Sequence, residues 1–361
     1  MISDVSLIKK LKICVMFRSE FGSVRTAQSL AATFVGHLAA TVLTLISVSN
    51  VLSQEKSCCT VACRGSVQSV CLSASGDIAG VALYGENSSI DVFSSKTGKR
   101  VGTVSEFVAQ SPWCFLTSKG FLVYPITIYI AATQDYRGGI RIFDVTNNKV
   151  VCEGKQTDSA SLTACISTDG SRLATYYSSG EIKVWNLANG DCLATLKNSD
   201  ASAGLAFVEQ GNRLAAVGEG CTVVVWDVMK AVPVGKPTRY EGYGVAVSGM
   251  LDEKTAKVMT SRGTVFEVFP DGSCKTLGQV DLGGQPKSGS ISSDGRIGAF
   301  VYVDTTECFD LTTRKLIRKL DASSGFRGQC CSVSSDGKFV CTGAIKVVAQ
   351  SSSEFSVWSL K

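Results

Sequence analysis

Histidine and proline are scarce in this chain of 361 residues, which contains one histidine, His37, and six prolines. With a single histidine, no Ser-His-Asp triad is available downstream of it, and zinc-finger spacing is absent. Charge is also sparse, because 19% of the residues are charged, and the net charge of +5 is too weak to indicate nucleic-acid binding by itself. Thirty-five glycines against so few prolines indicate many tight turns.

Cysteine, by contrast, is abundant, with fifteen residues scattered along the chain. Secreted disulfide scaffolds are usually short and have an even count. We therefore expect reduced thiols that pack as small hydrophobic groups, in a cytoplasmic or nuclear protein. The cluster "CCTVAC" (Cys58, Cys59 and Cys63) is not expected to bind metal, because adjacent strand residues point to opposite faces. We expect no cofactor, no metal, no catalytic residue and no small-molecule substrate.

A short pattern repeats along the chain, an apolar residue followed by Ser-x-x-Gly, as in "ISTDGS" from Ile166 and "ISSDGR" from Ile291. Asp-Gly or Ser-Gly between two apolar runs predicts a hairpin, because glycine accepts a positive φ at little cost. The glycines of this pattern recur every 41 to 50 residues, with one gap of 84 that equals two periods. They are Gly76, Gly120, Gly170, Gly211, Gly295 and Gly337.

A second marker follows each turn, a segment of alternating polar and apolar residues that ends in an aromatic residue, such as "IKVW" or "FSVW". Alternation predicts a half-buried strand, and a large ring at the same place in each repeat fixes the register. With one apolar strand before each turn and another after the aromatic residue, each unit has four short antiparallel strands. The repeat aromatics are Phe93, Phe143, Trp185, Trp226, Phe269, Phe309 and Trp358.

One such sheet cannot bury both of its faces, so several must pack face to face in a ring. The segments "VWNL", "VWDV", "IFDV" and "VWSL", at similar spacing after the Ser-x-x-Gly turns, resemble the WD-repeat β-propeller family. The resemblance implies an all-β propeller with seven blades of four antiparallel strands. No repeat has the family's Gly-His before its first strand, so we expect apolar packing rather than a histidine-containing network to hold the blades together.

The two ends of the chain pose a separate problem, because no fourth strand follows the last aromatic strand. The segment "SCCTVAC", residues 57–63, has the right apolar character. We expect it to pair outside the strand at residues 355–360, closing a propeller domain of residues 57–361 and covering an edge that otherwise invites aggregation.

Residues 1–56 form an N-terminal extension with three open interpretations. The stretch 30–48 carries no charge and follows five basic residues, which fits a membrane anchor or targeting segment. Its Thr, Val and Ile content favours a strand, and it aligns loosely with a repeat, which fits a degenerate eighth blade. The third interpretation is a plain extension of a seven-bladed ring.

Function is expected on one face of the ring, because loops on a rigid scaffold commonly carry it. That face collects the loops joining consecutive blades and the turns between the middle strands. It contains Tyr and Arg, residue types enriched at binding hot spots, and basic residues that favour an acidic partner segment. The candidate residues are Arg64, Tyr136, Arg137, Lys155, Lys197, Arg239, Tyr240, Tyr243, Lys287, Phe326 and Arg327.

These features predict a non-catalytic protein–protein interaction scaffold, a subunit of a eukaryotic multi-protein assembly. One alternative is an RNA-associated scaffold such as a ribosome-assembly factor, which the basic loops permit. The other is an enzyme built on a propeller, against which the single histidine and the lack of clustered carboxylates argue. A membrane is the least expected partner.

Overall fold

The structure is a computed structural model that describes residues 57–85, 88–105, 113–117, 120–130, 135–154, 159–197, 203–218, 220–250, 252, 254–347 and 352–360. Of residues 127–130 and 135–137 only the backbone is described. The extension at residues 1–56, with His37 and all three of its interpretations, lies outside the described residues, as does Lys155.

Twenty-eight strands, β1 to β28 in chain order, form seven four-stranded antiparallel sheets, and the described residues contain no helix. Blade 1 comprises β2 (Ser66–Leu72), β3 (Ile78–Tyr84), β4 (Ser89–Ser94) and β5 (Arg100–Val104). Blade 2 comprises β6 (Phe115–Leu116), β7 (Phe121–Ile130), β8 (Asp135–Asp144) and β9 (Lys149–Glu153). Blade 3 comprises β10 (Ser161–Ile166), β11 (Arg172–Tyr177), β12 (Glu181–Asn186) and β13 (Cys192–Lys197). Blade 4 comprises β14 (Gly204–Val208), β15 (Arg213–Val217), β16 (Thr222–Asp227) and β17 (Val232–Arg239).

Blade 5 comprises β18 (Gly244–Gly249), β19 (Ala256–Thr260), β20 (Thr264–Val268) and β21 (Cys274–Gln279). Blade 6 comprises β22 (Ser288–Ile291), β23 (Ile297–Val301), β24 (Thr305–Asp310) and β25 (Lys315–Asp321). Blade 7 comprises β26 (Phe326–Val333), β27 (Phe339–Lys346), β28 (Ser352–Ser359) and, as its outermost strand, β1 (Cys59–Arg64). The prediction of a seven-bladed all-β propeller is confirmed.

The hydrophobic core lies between the blades and not within them. Seven clusters of buried residues each join two consecutive blades, and the seventh joins blade 7 to blade 1. In that last cluster the rings of Phe93 and Phe355 pack with their centroids 4.7 Å apart. Because each sheet buries both faces against its neighbours, the ring is held by apolar packing distributed around the axis.

The Ser-x-x-Gly turns explain why serine and glycine recur. All six predicted turn glycines have positive φ, between 68° and 80°. In blade 3 the Ser167 hydroxyl donates to Asp169 at 2.6 Å and accepts the N–H of Arg172 at 2.9 Å. Burial alone would raise the pKa of Asp169, but hydrogen bonds from Ser167 and Ser171 outweigh burial and lower it. The turn residues thus satisfy each other where two strands separate.

The repeat aromatics lie on the third strand of each blade, with one difference. Phe93, Phe143, Trp185, Trp226 and Phe309 are buried, and Trp358 is half-buried. Phe269 lies one residue beyond the end of β20, and its carbonyl accepts the N–H of Gly272 in the following turn. Val268 takes the buried place opposite Ala256 instead, so the sequence-based alignment is displaced by one residue in blade 5.

Two of the three repeat tryptophans form buried or half-buried hydrogen bonds that need no histidine. The indole N–H of Trp185 donates to the Thr175 hydroxyl at 2.8 Å, and that of Trp358 donates to the Thr342 hydroxyl at 3.1 Å. The indole nitrogen of Trp226 is buried, and no described residue accepts its hydrogen bond. Equivalent tryptophans therefore differ in whether their polar atom is satisfied.

Strand β1 pairs antiparallel with β28, with Cys59 opposite Val357 and Arg64 opposite Ser352. It starts and ends later than the predicted segment 57–63, and β28 starts at Ser352. The fourth strand of the last blade therefore comes from the N-terminal side of the ring. The described residues include no apolar helix that could span a membrane.

Candidate interaction face

One face of the ring, here called the blade-junction face, is formed by two kinds of connection. These are the segments between the outermost strand of one blade and the innermost strand of the next, and the turns between the second and third strands of each blade. Because neighbouring strands run antiparallel, both kinds of connection lie at the same ends of the strands. The predicted interaction residues within the described part of the chain fall on these connections or on adjoining strand residues.

The structure divides the predicted residues into groups. Arg64, Lys197, Arg239, Lys287 and Arg327 are exposed, and Tyr240, Tyr243 and Phe326 are half-buried. Tyr136 and Arg137 belong to β8 and lie opposite Tyr129 and Ile128, but their side chains are outside the described part of the chain. Arg64, Phe326 and Arg327 come together on blade 7, and Arg239, Tyr240 and Tyr243 come together at the junction of blades 4 and 5. Lys197 belongs to neither group, and Lys287 lies on the connection between blades 5 and 6, which adjoins the second group.

At the junction of blades 4 and 5, Tyr240 is held in place by stacking. Its ring lies 3.9 Å from that of Phe266 at an interplanar angle of 9°. Its backbone N–H donates to the carbonyl of Cys221 at 3.1 Å. Burial raises the pKa of the Tyr240 hydroxyl above its usual range. Tyr240 is therefore a rigid, partly exposed aromatic group of the kind that anchors interfaces.

Three connections meet at this junction and support one another. The N–H of Ser261 donates to the carbonyl of Tyr243 at 2.8 Å, and the Tyr243 N–H donates to the Ser261 hydroxyl at 3.2 Å. The side-chain amide of Gln285 donates to the Tyr243 hydroxyl. Arg262, exposed in the turn between β19 and β20, was missed from the sequence, although that turn belongs to the predicted face. These hydrogen bonds make the junction rigid, and Arg262 adds an exposed positive charge at its edge.

The charges at this junction nearly balance. Arg239, Arg262 and Lys287 form no ion pair with any described residue. Glu241 and Asp281, on the same connections, are equally exposed. A mixed local charge of this kind gives little preference for a partner of either sign.

Blade 7 presents a different arrangement at its strand ends, here called the blade-7 edge. This edge includes Tyr84 of blade 1, which lies opposite Ser66 and next to Gly65. Its other members are Arg64, Phe326, Arg327, Lys346 and Val347. Phe326 lies opposite Lys346, and Arg327 lies opposite Ile345. The strand spacing of about 4.8 Å makes this four-stranded edge roughly 15 Å wide. Lys346 was missed from the sequence, because only the pairing of β26 with β27 brings it beside Phe326.

The cations of the blade-7 edge have no ionic partner among the described residues, whereas the Glu354 carboxylate accepts a hydrogen bond. Arg64, Arg327 and Lys346 are exposed and form no ion pair with a described residue. The Glu354 side chain is 9% exposed and accepts the N–H of Ser323 at 3.1 Å. The edge therefore has an excess of positive charge that the blade itself does not neutralise.

Apolar groups are exposed on the same edge. Tyr84 is 59% exposed and Val347 is 45% exposed, and Phe326 is half-buried. The backbone around them is fixed, because the Val347 N–H donates to the carbonyl of Gly325 at 2.9 Å and the Phe326 N–H donates to that of Ser323 at 2.9 Å. Three cations without an ionic partner among the described residues share this edge with three accessible apolar groups, a surface suited to an amphipathic, negatively charged ligand.

The described residues also include acidic and cysteine side chains outside these two groups. No group of three or more His, Cys, Asp and Glu side chains among them is placed to hold a metal ion. An open groove of about 320 Å³ between blades 5 and 6 contains Glu307, but Lys319 already pairs with that carboxylate at 2.6 Å. The groove brings no nucleophile and base together.

Comparison with known proteins adds no relative: no family model and no curated protein matches this chain. The fold is therefore established by the described structure, and any assignment to a family depends on the repeat residues themselves.

Proposed function

We propose that the protein is a non-catalytic interaction platform that binds a partner protein through its blade-junction face, with an acidic, partly apolar segment of the partner seated on the blade-7 edge. The observation that carries this proposal is the set of unpaired cations Arg64, Arg327 and Lys346 beside exposed apolar groups, on a blade whose carboxylate is already hydrogen-bonded.

The energetic argument combines two contributions. An exposed ion pair contributes only about 0–1 kcal/mol, so three of them steer and orient a ligand more than they hold it. Apolar contacts with Tyr84, Phe326 and Val347 supply the burial that charge alone does not. A segment that alternates carboxylates with apolar side chains satisfies both requirements.

A protein partner is favoured over RNA by the rest of the face. Glu241 and Asp281 are exposed on its other connections, and Asp304 and Asp321 are exposed next to the segment that leads to Phe326; none of them forms an ion pair with described residues. An RNA strand crossing the ring would meet these carboxylates with its phosphates, which is unfavourable. A peptide segment that stays on the blade-7 edge avoids Glu241 and Asp281.

Kinship with the WD-repeat propellers is part of this proposal. It is supported by third strands ending in Trp185, Trp226 and Trp358 and by carboxylates that follow the aromatic residue. Asp310, for example, accepts the N–H groups of Thr312 at 2.8 Å and Thr313 at 2.9 Å. Membership of a eukaryotic assembly in the cytoplasm or nucleus is inferred from this kinship and from the many scattered cysteines.

Charge reversal on the blade-7 edge tests the proposal. The triple variant Arg64→Glu, Arg327→Glu, Lys346→Glu is titrated against a fluorescent peptide rich in glutamate and leucine, and against an RNA oligonucleotide of equal net charge. We expect the peptide affinity to fall about tenfold or more, because each lost pair is replaced by a repulsion.

A matched control reverses three exposed, unpaired cations of the opposite face: Lys99→Glu, Lys254→Glu and Lys315→Glu. It changes the net charge equally and is expected to leave peptide binding within about twofold. Equal losses in both variants would show that only net charge matters. Absence of peptide binding to the wild-type protein, or binding of the RNA alone, would also contradict the proposal.

A further inference from the structure

Two buried thiols from neighbouring blades lie in direct contact. Cys71 is in β2 of blade 1, and Cys114 immediately precedes β6 of blade 2. Their Sγ atoms are 3.2 Å apart, and the residues are 5% and 3% exposed. Fourteen cysteines are described, all as free thiols, and among them no other two thiols are in hydrogen-bond contact.

The two thiols are held at this distance from both sides. Next to Cys71, the N–H of Leu72 donates to the Ser332 hydroxyl of blade 7 at 3.2 Å. Next to Cys114, the indole of Trp113 donates to the Ser161 hydroxyl of blade 3 at 2.9 Å. The segment with Cys71 is therefore fixed to blade 7 and the segment with Cys114 to blade 3, whereas a bond between the two thiols would join blades 1 and 2.

The space for the Cys71 sulfur is provided by a glycine. Gly80 of β3 lies opposite Cys71 in the register of blade 1. A Cβ atom at position 80 would lie 2.7 Å from the Cys71 Sγ, so any larger residue would displace the sulfur from its contact. The contact thus depends on the absence of a side chain at this position.

From this geometry we propose that Cys71 and Cys114 form a reversible disulfide bond that links blades 1 and 2 under oxidising conditions. The oxidant class is a small disulfide such as glutathione disulfide. One protein thiolate attacks it and releases glutathione, and the second thiolate attacks the mixed disulfide and releases another. Two protein thiols are oxidised, one glutathione disulfide is reduced to two thiols, and the protons pass to the released glutathione.

The closed ring controls when this reaction occurs. Burial raises the pKa of Cys71 well above its usual value, and the neighbouring Cys114 raises it further. Because the thiolate is the reacting form, exchange is slow in the closed ring and fast while the blades are still assembling. Once formed, the bond is shielded from reductants by the same packing.

Refolding of the full-length chain tests the proposal. The protein is unfolded with a reductant, refolded in a glutathione redox buffer, alkylated without reduction, and mapped by peptide mass spectrometry. We expect a linked peptide pair containing Cys71 and Cys114. The already folded, reduced protein is expected to form this link at least about tenfold more slowly, whereas exposed Cys192 attacks glutathione disulfide at once and releases one glutathione.

A stability measurement gives a second readout. The 43-residue separation corresponds to about 4 kcal/mol of stabilisation, so the oxidised protein is expected to melt about 8 °C above the reduced one. Cys114→Ala removes this difference, and Cys331→Ala, a buried thiol of blade 7, keeps it. Recovery of Cys71 and Cys114 as separately alkylated thiols after refolding in glutathione overturns the proposal, as does a link from either thiol to another cysteine. The peptide map of the wild-type chain decides if a variant fails to fold.

Discussion

The indole hydrogen bond of blade 3 leads to a sharp prediction for Trp185→Phe, with Trp226→Phe as its matched control. Both tryptophans are buried, and they lie at equivalent positions, opposite Leu173 and Leu214. Both substitutions remove the same ring atoms from a packed interface between blades. Only Trp185 also loses a hydrogen bond, the 2.8 Å contact with Thr175.

The expected difference follows from the two indole nitrogens. Loss of a satisfied hydrogen bond costs about 1 kcal/mol, whereas removal of the buried, unsatisfied donor of Trp226 relieves a penalty of about 1–3 kcal/mol. We therefore expect the free energy of unfolding to fall by about 2–4 kcal/mol more in Trp185→Phe than in Trp226→Phe. At about 2 °C per kcal/mol for a domain of this size, the melting temperatures should differ by about 4–8 °C.

Urea denaturation followed by circular dichroism measures this difference without relying on the altered fluorescence. Thr175→Val completes a double-mutant cycle, because it is expected to cost about 1–3 kcal/mol alone and much less in the Trp185→Phe background. If Trp226→Phe destabilises the protein as much as Trp185→Phe, the hydrogen bond has no measurable role and the reasoning is refuted.

Three further predictions concern the ring as a whole. Phe355→Ala empties the fully buried contact between blades 7 and 1 and should cost about 3–5 kcal/mol, measured by urea denaturation. Gly263→Ala should destabilise far more than Gly325→Ala in thermal melts. Both have positive φ, 83° and 84°, but a Cβ at 263 meets a backbone carbonyl and one at 325 meets no atom within 4 Å. The hydrogen bond from the N–H of Thr313 lowers the pKa of the Asp310 carboxyl in the folded protein. The stability that the ionised carboxylate contributes is therefore present above its unfolded pKa and is lost as the pH falls below about 4. Asp310→Asn should make the melting temperature depend less on pH between about pH 5 and 3, measured by thermal melts.

The fold was predictable because its signals are local. Each Ser-x-x-Gly pattern predicts a hairpin within a few residues, and the six glycines have the positive φ that such a turn requires. The aromatic residue was a weaker guide. In "VFEVF" the strand ends at Val268, and Phe269 enters the turn, because register depends on pairing with Ala256. The sequence pattern alone does not show which of two adjacent apolar residues is the last residue of the strand.

The surface was only partly predictable, for a different reason. Exposed residues at strand ends, such as Arg239 and Arg327, follow from the order of strands. The grouping of Arg64 with Lys346, residues far apart in the chain, follows only from the pairing of β1 with β28 and of β28 with β27. The contact between Cys71 and Cys114 is likewise set by the packing of two blades. Such long-range relations have no counterpart in the spacing of one repeat.

The origin of blade 7 from both ends of the chain has a consequence for biosynthesis. Thr60 of β1 and Ser356 of β28 share a hydrogen bond across a separation of 296 residues. At about 5–20 residues per second, a ribosome needs roughly 15–60 s to deliver the second strand after the first. During that interval β1 lacks its neighbour, and we expect the nascent chain to depend on chaperones until β28 has been synthesised.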